Sequence, residues 1–168
     1  MLRTDLTIRI LGFGNPLMGD DGIGIHVIEH LKQMHAELPD NVEVIDAGVC
    51  GFDALGLLEG AEKLIIVDSV KGVGDIGSIH RFVMDDIRKA TSRCHLSLHG
   101  TCLADVLCMA EHIQEIPEEL IIFAVEVDRT DDISLCISDR VQASLNEIVT
   151  SILDELGSGA VTEQYIQK

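Results

Sequence analysis

The chain has 168 residues, which is enough for one domain of ordinary size but short for two. Its hydrophobic content of 46% argues against disorder, which requires low hydrophobicity as well as high charge. Twelve basic residues against 29 acidic ones give a net charge of −17, which disfavours nucleic acid and anionic membrane surfaces as partners. We predict a single domain over residues 1–168, with an ordered core over about 7–157 and a loose tail over 158–168.

The cysteines indicate a reducing compartment. The five of them form no CxxC pair, which suits free thiols better than disulfides or a zinc knuckle; they are Cys50, Cys94, Cys102, Cys108 and Cys136. No apolar stretch approaches the length of about 20 residues that spans a bilayer. The sequence therefore predicts a cytoplasmic protein with neither signal peptide nor membrane anchor.

Short apolar runs alternate along the chain with segments of helical period, the pattern that βαβ units produce. The predicted strands are rich in Ile, Val and Leu, as strands buried on both faces are; they cover residues 7–13, 42–47, 63–69, 78–83 and 120–127. We predict the strand at 78–83 to be an antiparallel neighbour of 63–69 at the sheet edge, because the Gly-rich turn between them is too short for a crossover helix.

Four helices are predicted, three between these strands and one after the last of them. They cover about 22–35, 52–58, a segment from about 102, and a last segment from about 138 that ends at Gly157. Ser138 is the expected N-cap of the last helix. The predicted inward-facing residues are Val27, Ile28, Leu31, Met34, Leu103, Val106, Leu107, Ala110, Ile113, Val141, Leu145, Ile148, Val149, Ile152 and Leu156.

These elements predict an α/β fold of three layers: a mostly parallel, twisted, five-stranded sheet with one antiparallel edge strand and helices on both faces. In open sheets of this kind the ligand crevice lies beyond the carboxyl ends of the parallel strands. Functional side chains are therefore expected where the strands end.

The first strand ends in a Gly-rich turn, residues 12–24 with the sequence GFGNPLMGDDGIG. A dinucleotide fingerprint would require a third glycine where Leu17 stands, and Asp20 and Asp21 would repel a pyrophosphate. We therefore predict that no nucleotide binds at this turn.

Acidic residues also end the next two strands, at Asp46 and Asp68, so they are expected at the same edge as Asp21. Each aspartate taken alone could be an ordinary turn or cap residue. Together with His99, just before the third helix, Asp21 and Asp68 offer two oxygen ligands and one imidazole to a divalent ion such as Zn²⁺ or Ni²⁺. The convergence favours a metal site with open coordination positions.

Four stretches carry a family resemblance: residues 12–24, DAGVCG at 46–51, LIIVDSV at 64–70 and HGTCLADVL at 99–107. In this order and spacing they resemble the hydrogenase maturation endopeptidases, and the resemblance extends from residue 8 to about 156.

The resemblance implies an endopeptidase that removes the C-terminal peptide of the nickel-iron hydrogenase large-subunit precursor after nickel insertion. It implies that Asp21, Asp68 and His99 contact a metal, that this metal is Ni²⁺ supplied by the substrate, and that Asp46 is the family's second-strand aspartate. All four are candidate catalytic residues of a metal-dependent, acid-residue protease, and Asp46 is the candidate general base.

Two positions depart from the family pattern. Val49 replaces a usual Thr, and the fifth strand continues Glu126-Val127 where Glu-Pro is usual. These departures bear on substrate fit, and they leave the three predicted ligands intact. Glu126 is expected near the cleft.

Two other protease mechanisms fit parts of the sequence. His26 and His30 match the H-x-x-E-H zinc motif, but they lie opposite the apolar stripe of their helix and are expected to face water. A cysteine nucleophile is the second alternative, with Cys102 near a helix N-terminus and His99, or with Cys50 in a strand-to-helix turn.

Outside catalysis, the acids and histidines could form a nickel-binding chaperone or metal-sensing module that reads the large subunit without cutting it. We treat His35, His80, His95 and His112 as surface or supporting residues. No helix presents an exposed dimer seam, so a monomer is expected.

Overall fold

The structure is a computed structural model, and it describes residues 7–34, 38–49, 51–90, 103–128 and 133–157. Its sheet has five strands: Ile8–Phe13 (β1), Val42–Gly48 (β2), Lys63–Val70 (β3), Ile79–Val83 (β4) and Glu119–Glu126 (β5). They lie in the order β2-β1-β3-β5-β4, and the β4–β5 pair alone is antiparallel. The predicted mixed sheet with one antiparallel edge strand is confirmed.

The neighbour predicted for the edge strand is wrong. β4 lies at the edge, but it pairs with β5, from Ile79 opposite Val125 to Val83 opposite Ile121, and β5 separates it from β3. The loop over residues 71–78 only has to pass one strand, a sideways step of about 10 Å, which a segment of this length spans easily. The short connection excluded a crossover helix but did not require adjacent pairing.

The helices are Ile23–Gln33 (α1), Leu55–Leu58 (α2), Met84–Ala90 (α3), Leu103–Ile113 (α4) and Asp139–Glu155 (α5). α1 and α5 pack on one face of the sheet against Ile10, Ile65 and Val67. The other three helices pack on the opposite face, against Leu11 and Leu64. Successive strand residues thus enter different cores, which gives the three predicted layers.

Most of the helical residues that were predicted to face inward are buried, including Val27, Ile28 and Leu31 of α1. Ser138 is the N-cap of α5, where its side chain accepts a hydrogen bond from the backbone N–H of Val141 at 3.4 Å. The inward position predicted for Ile113 is wrong, since this last residue of α4 is 62% exposed.

α3 is a helix that the sequence did not predict. It has seven residues and contributes only Met84 and Ile87 to the core, too few apolar positions for a periodic signal. None of the helices in the described ranges is both long and apolar enough to cross a membrane. Several predictions fall outside the described residues: the loose tail over 158–168, His35, His95, His99, Cys50, Cys94 and Cys102.

Candidate active site

Glycines let the start of α1 lie directly against the sheet. A Cβ atom at Gly24 would be 2.1 Å from the carbonyl oxygen of Phe13 and 2.6 Å from that of Val67. At Gly12 it would be 2.3 Å from Cγ1 of Ile28. This close approach places the 3₁₀ turn Gly19–Gly22, which precedes α1, at the carboxyl ends of β1 and β3.

Asp21, in this 3₁₀ turn, is held inside the protein with 1% of its surface exposed. Its Oδ1 accepts a hydrogen bond from the Ser69 hydroxyl at 2.9 Å, and its Oδ2 accepts one from the backbone N–H of Asn15 at 2.9 Å. Gly14 permits the tight return of the chain, with φ at 139° and no room for a Cβ beside the Asp21 carbonyl oxygen. The turn therefore fixes the orientation of the Asp21 carboxylate.

Asp68, near the end of β3, is 2% exposed. Its Oδ1 accepts the backbone N–H of Ser69 at 2.8 Å, whereas its buried Oδ2 has no hydrogen-bond partner among the described residues. Burial raises the pKa of the Asp68 carboxyl well above 3.8; the Ser69 N–H opposes this, and the negative charge of Asp21 adds to it. Asp68 thus favours a proton or a cation beside its free oxygen.

Ser69 joins the two carboxylates, because its hydroxyl contacts Asp21 while its N–H contacts Asp68. The predicted convergence of Asp21 and Asp68 is therefore seen in the structure. We call Asp21, Asp68 and Ser69 the buried acidic cluster. Two buried carboxylates that share one serine are stabilised by a positive charge near them.

His99, the third predicted ligand, lies outside the described residues, and its role stays a prediction. Side chains alternate along β3, so Asp68 is on the same face of the sheet as Leu64 and Ile66. This is the face on which α4 packs. Within the described residues no group of three or more His, Cys, Asp or Glu side chains is placed to hold a metal ion.

Asp46 reaches the same edge of the sheet but lies apart from the buried acidic cluster. It is level with Gly12 of β1, whose other neighbour is Val67, so Asp46 and Asp68 are two strand spacings apart, about 10 Å. Its side chain is exposed, and Oδ1 accepts the backbone N–H of Gly48 at 2.9 Å. A role for Asp46 in catalysis requires a substrate that extends across the end of β1.

Ser69 and Asn15 were not singled out by the sequence, and Asp20 was noted only as a charge that repels a pyrophosphate. Asp20 accepts the Ser138 hydroxyl at 2.8 Å, so the two adjacent acids point to different partners. One of them ties the turn to α5, and the other enters the cluster. The position of a serine directly after the strand-end aspartate is the only local signal for Ser69.

Glu126 was expected near the cleft, but its carboxylate is buried against the loop between β3 and β4. It is 3% exposed, and its carboxylate accepts the backbone N–H groups of Gly72, Val73 and Gly74, the last two at 2.9 and 3.0 Å. Consecutive N–H groups of this kind form an anion-binding backbone nest. Glu126 therefore holds the β3–β4 loop in place.

The H-x-x-E-H histidines are less exposed than predicted. His26 and His30 are half-buried, and Nδ1 of His26 lies 3.5 Å from Oε2 of Glu29. Nε2 of His26 is buried without a hydrogen-bond partner among the described residues. Glu29, the potential general base of a zinc motif, is exposed and paired with this histidine.

The chain is similar in sequence to known proteins. A family model described as hydrogenase maturation protease matches residues 25–155. The chain is 29% identical to the hydrogenase 2 maturation protease of Escherichia coli over 164 residues, which is 96% of this chain and 99% of that relative.

Solved structures share the fold. The hydrogenase maturating endopeptidase HybD from E. coli is similar with a TM-score of 0.78 and 27% identity, covering 92% of this chain and 94% of that one. A hydrogenase 2 maturation peptidase from a Thaumarchaeota archaeon has a TM-score of 0.65 and 32% identity, with 90% and 98% covered. These matches favour a protease over a non-catalytic chaperone. The chain belongs to the hydrogenase maturation protease family and is an endopeptidase.

Proposed function

We propose that this endopeptidase removes the C-terminal extension of a nickel-iron hydrogenase large-subunit precursor after nickel insertion, and so completes maturation of that subunit. The names of its relatives support hydrogenase maturation as the process. The observation that carries the proposal is the buried acidic cluster, in which two carboxylates share Ser69 and one Asp68 oxygen has no hydrogen-bond partner among the described residues.

The donor set suits the nickel ion that the precursor brings with it. Asp21 and Asp68 supply carboxylate oxygens, and His99 would supply an imidazole, the ligand type that nickel readily accepts. The Oδ2 of Asp68 is buried and has no hydrogen-bond partner in the part of the chain that the structure describes, so a cation there would replace a proton at that oxygen. Recognition of the metallated precursor then depends on charge neutralisation at this cluster.

The chain's own residues position the reaction. Ser69 and the Asn15 N–H hold Asp21, and the Ser69 N–H holds Asp68, so both carboxylates are oriented before substrate arrives. A nickel ion bound there would polarise a carbonyl or lower the pKa of a water. We assign Asp46 as the general base, which takes the proton of the attacking water when the peptide lies across the end of β1.

We also propose a compartment and an oligomeric state for the protein. The protein acts in the cytoplasm, where its thiols stay reduced. It acts as a monomer, because two copies that each carry a charge of −17 repel one another.

Nickel-loaded precursor is expected to be shortened by the protein, whereas nickel-free precursor stays intact, because the free enzyme has uncompensated acids at its cleavage site. Gel electrophoresis measures the shortening, and mass spectrometry locates the new C-terminus. Efficient cleavage of the nickel-free precursor would contradict the metal requirement. Binding of the loaded precursor without shortening would support a chaperone instead.

Replacement of Asp46 by Asn is expected to lower the cleavage rate by about 100-fold or more, the usual contribution of general acid–base catalysis. The fold should be unaffected, because the side chain is exposed and its amide oxygen can still accept the Gly48 N–H. Asp53→Asn is the matched control, since Asp53 is an exposed acid of the following loop. Processing by Asp46→Asn at the control rate would remove Asp46 from the mechanism.

A further inference from the structure

Large apolar side chains are exposed on two loops at the carboxyl edge of the sheet. Leu17 follows β1 and is 55% exposed, while Ile133 and Leu135 precede α5 and are 86% and 71% exposed. Single exposed apolar residues are ordinary, but a contiguous group of them marks a binding surface. These three residues form one surface if the two loops are in contact.

Backbone pairing joins the two loops. The N–H of Ser134 donates to the carbonyl of Leu17 at 2.9 Å, and the N–H of Gly19 donates to the carbonyl of Ser134 at 2.7 Å. This is a parallel bridge in which Met18 lies opposite Ser134. The bridge brings Leu17 next to Ser134, and the two chain neighbours of Ser134 are Ile133 and Leu135, so the three exposed apolar residues lie side by side. We call these three residues the apolar rim.

The rim also carries a backbone edge. Both main-chain groups of Ser134 bond to the loop that contains Leu17, and Ile133 and Leu135 flank this serine. Neither Ile133 nor Leu135 forms a main-chain hydrogen bond with another described residue. An extended peptide can add to such an edge through its own main chain while its side chains contact the rim.

Two short links connect the rim to the buried acidic cluster. The N–H of Leu17 donates to Oδ1 of Asn15 at 3.0 Å, and the N–H of Asn15 donates to Oδ2 of Asp21 at 2.9 Å. On the other side, Asp20 ties the same turn to Ser138, three residues after Leu135. A peptide on the rim therefore continues towards the carboxylates that would hold the metal.

Charge restricts the occupant. Asp128 and Asp139, in the segment that leads from β5 to α5, are exposed, and the whole chain carries −17. An acidic segment or a second copy of this chain would be repelled here. We infer that the apolar rim binds an extended segment of the precursor, with apolar and neutral or basic side chains, next to the bond that is cut. This inference rests on the proposed function and specifies how that substrate is held.

The test compares a rim variant with a control that has a similar side chain elsewhere. In the double variant Ile133→Ser/Leu135→Ser, we expect the KM for nickel-loaded precursor to rise about tenfold or more while kcat changes less than about twofold, because the rim binds ground state and transition state alike. Ile113→Ser is the control: it removes an isoleucine that is 62% exposed at the end of α4, on the side where β5 begins. Its KM should be unchanged.

Cleavage by the wild-type protein distinguishes a failure of the proposed function from a failure of the rim inference. If it fails to shorten nickel-loaded precursor, the proposed function is wrong, and calorimetric binding of the uncut precursor then tests the rim alone. If wild type cleaves and the double variant has the same KM and affinity, the rim inference is wrong. Loss of a dimer in the double variant at unchanged KM would likewise overturn it in favour of a second copy.

Discussion

The Asp68→Asn variant is expected to lose processing of nickel-loaded precursor by about 10³-fold or more, the scale seen when a catalytic carboxylate is removed. Asn keeps the shape of Asp and can still accept the Ser69 N–H through Oδ1. It lacks the negative charge that the cluster offers to a cation through the buried Oδ2. The rate is measured as the fraction of precursor shortened with time.

The stability of Asp68→Asn distinguishes a functional loss from a folding defect. Burial raises the pKa of Asp68 in the folded protein above 3.8, so the folded state holds this proton more tightly than the unfolded chain. The wild type therefore loses stability as pH rises from about 3.8 through the raised pKa. Asn cannot titrate, so the metal-free variant should be at least as stable as wild type at pH 7.

Denaturant unfolding in the presence of EDTA at neutral and at acidic pH measures this difference. The advantage of Asp68→Asn should shrink as pH falls towards the range where Asp68 is protonated in both states. A variant that is inactive and also much less stable at neutral pH would show that Asp68 has a structural role. Near-normal processing would remove Asp68 from the site.

The Gly24→Ala variant is expected to have the largest effect on stability. Its methyl group would lie 2.1 Å from one backbone carbonyl oxygen and 2.6 Å from another, belonging to Phe13 and Val67. Overpacking usually costs about 1–3 kcal/mol even where side chains can move, and here the obstacles are backbone atoms of two central strands. We expect a loss of about 3 kcal/mol or more in the free energy of unfolding, or a protein that does not fold.

Gly56→Ala is the matched control. Gly56 lies in α2, and an added Cβ would meet no described atom within 4 Å apart from its chain neighbours and the backbone of its own helix. Alanine favours helix over glycine by up to about 1 kcal/mol, so this variant should be as stable as wild type or slightly more stable. Denaturant midpoints compare the two. Equal stability of both variants would show that α1 does not need its close approach to the sheet.

Local patterns in the sequence were sufficient for the elements that form the core. The strands that begin at Ile8, Val42, Lys63, Ile79 and Glu119 were all predicted within one residue, because buried strands are continuous apolar runs between turn residues. The position of Asp46 and Asp68 at one edge also followed, since parallel strands end at the same edge. The exception was α3, which is too short for a helical period.

The detailed geometry of the site depended on tertiary contacts. Asp20 and Asp21 are adjacent in sequence, yet one accepts a hydrogen bond from Ser138, the N-cap of α5, and the other accepts one from Ser69, because the 3₁₀ turn points successive side chains in different directions. Ser69 bridges two acids only because α1 approaches β3 so closely. No periodicity in the chain encodes that distance.

By itself, the sequence determined the α/β class, the strands, and the carboxylates that end three of them, because burial patterns and turn residues are local properties. The tertiary structure decided which strands are neighbours, which two acids are linked by Ser69, and that Leu17 meets the segment before α5. The physical reason is that pairing between distant segments depends on how the whole sheet is assembled. The burial that raises the pKa of Asp68 exists only after that assembly.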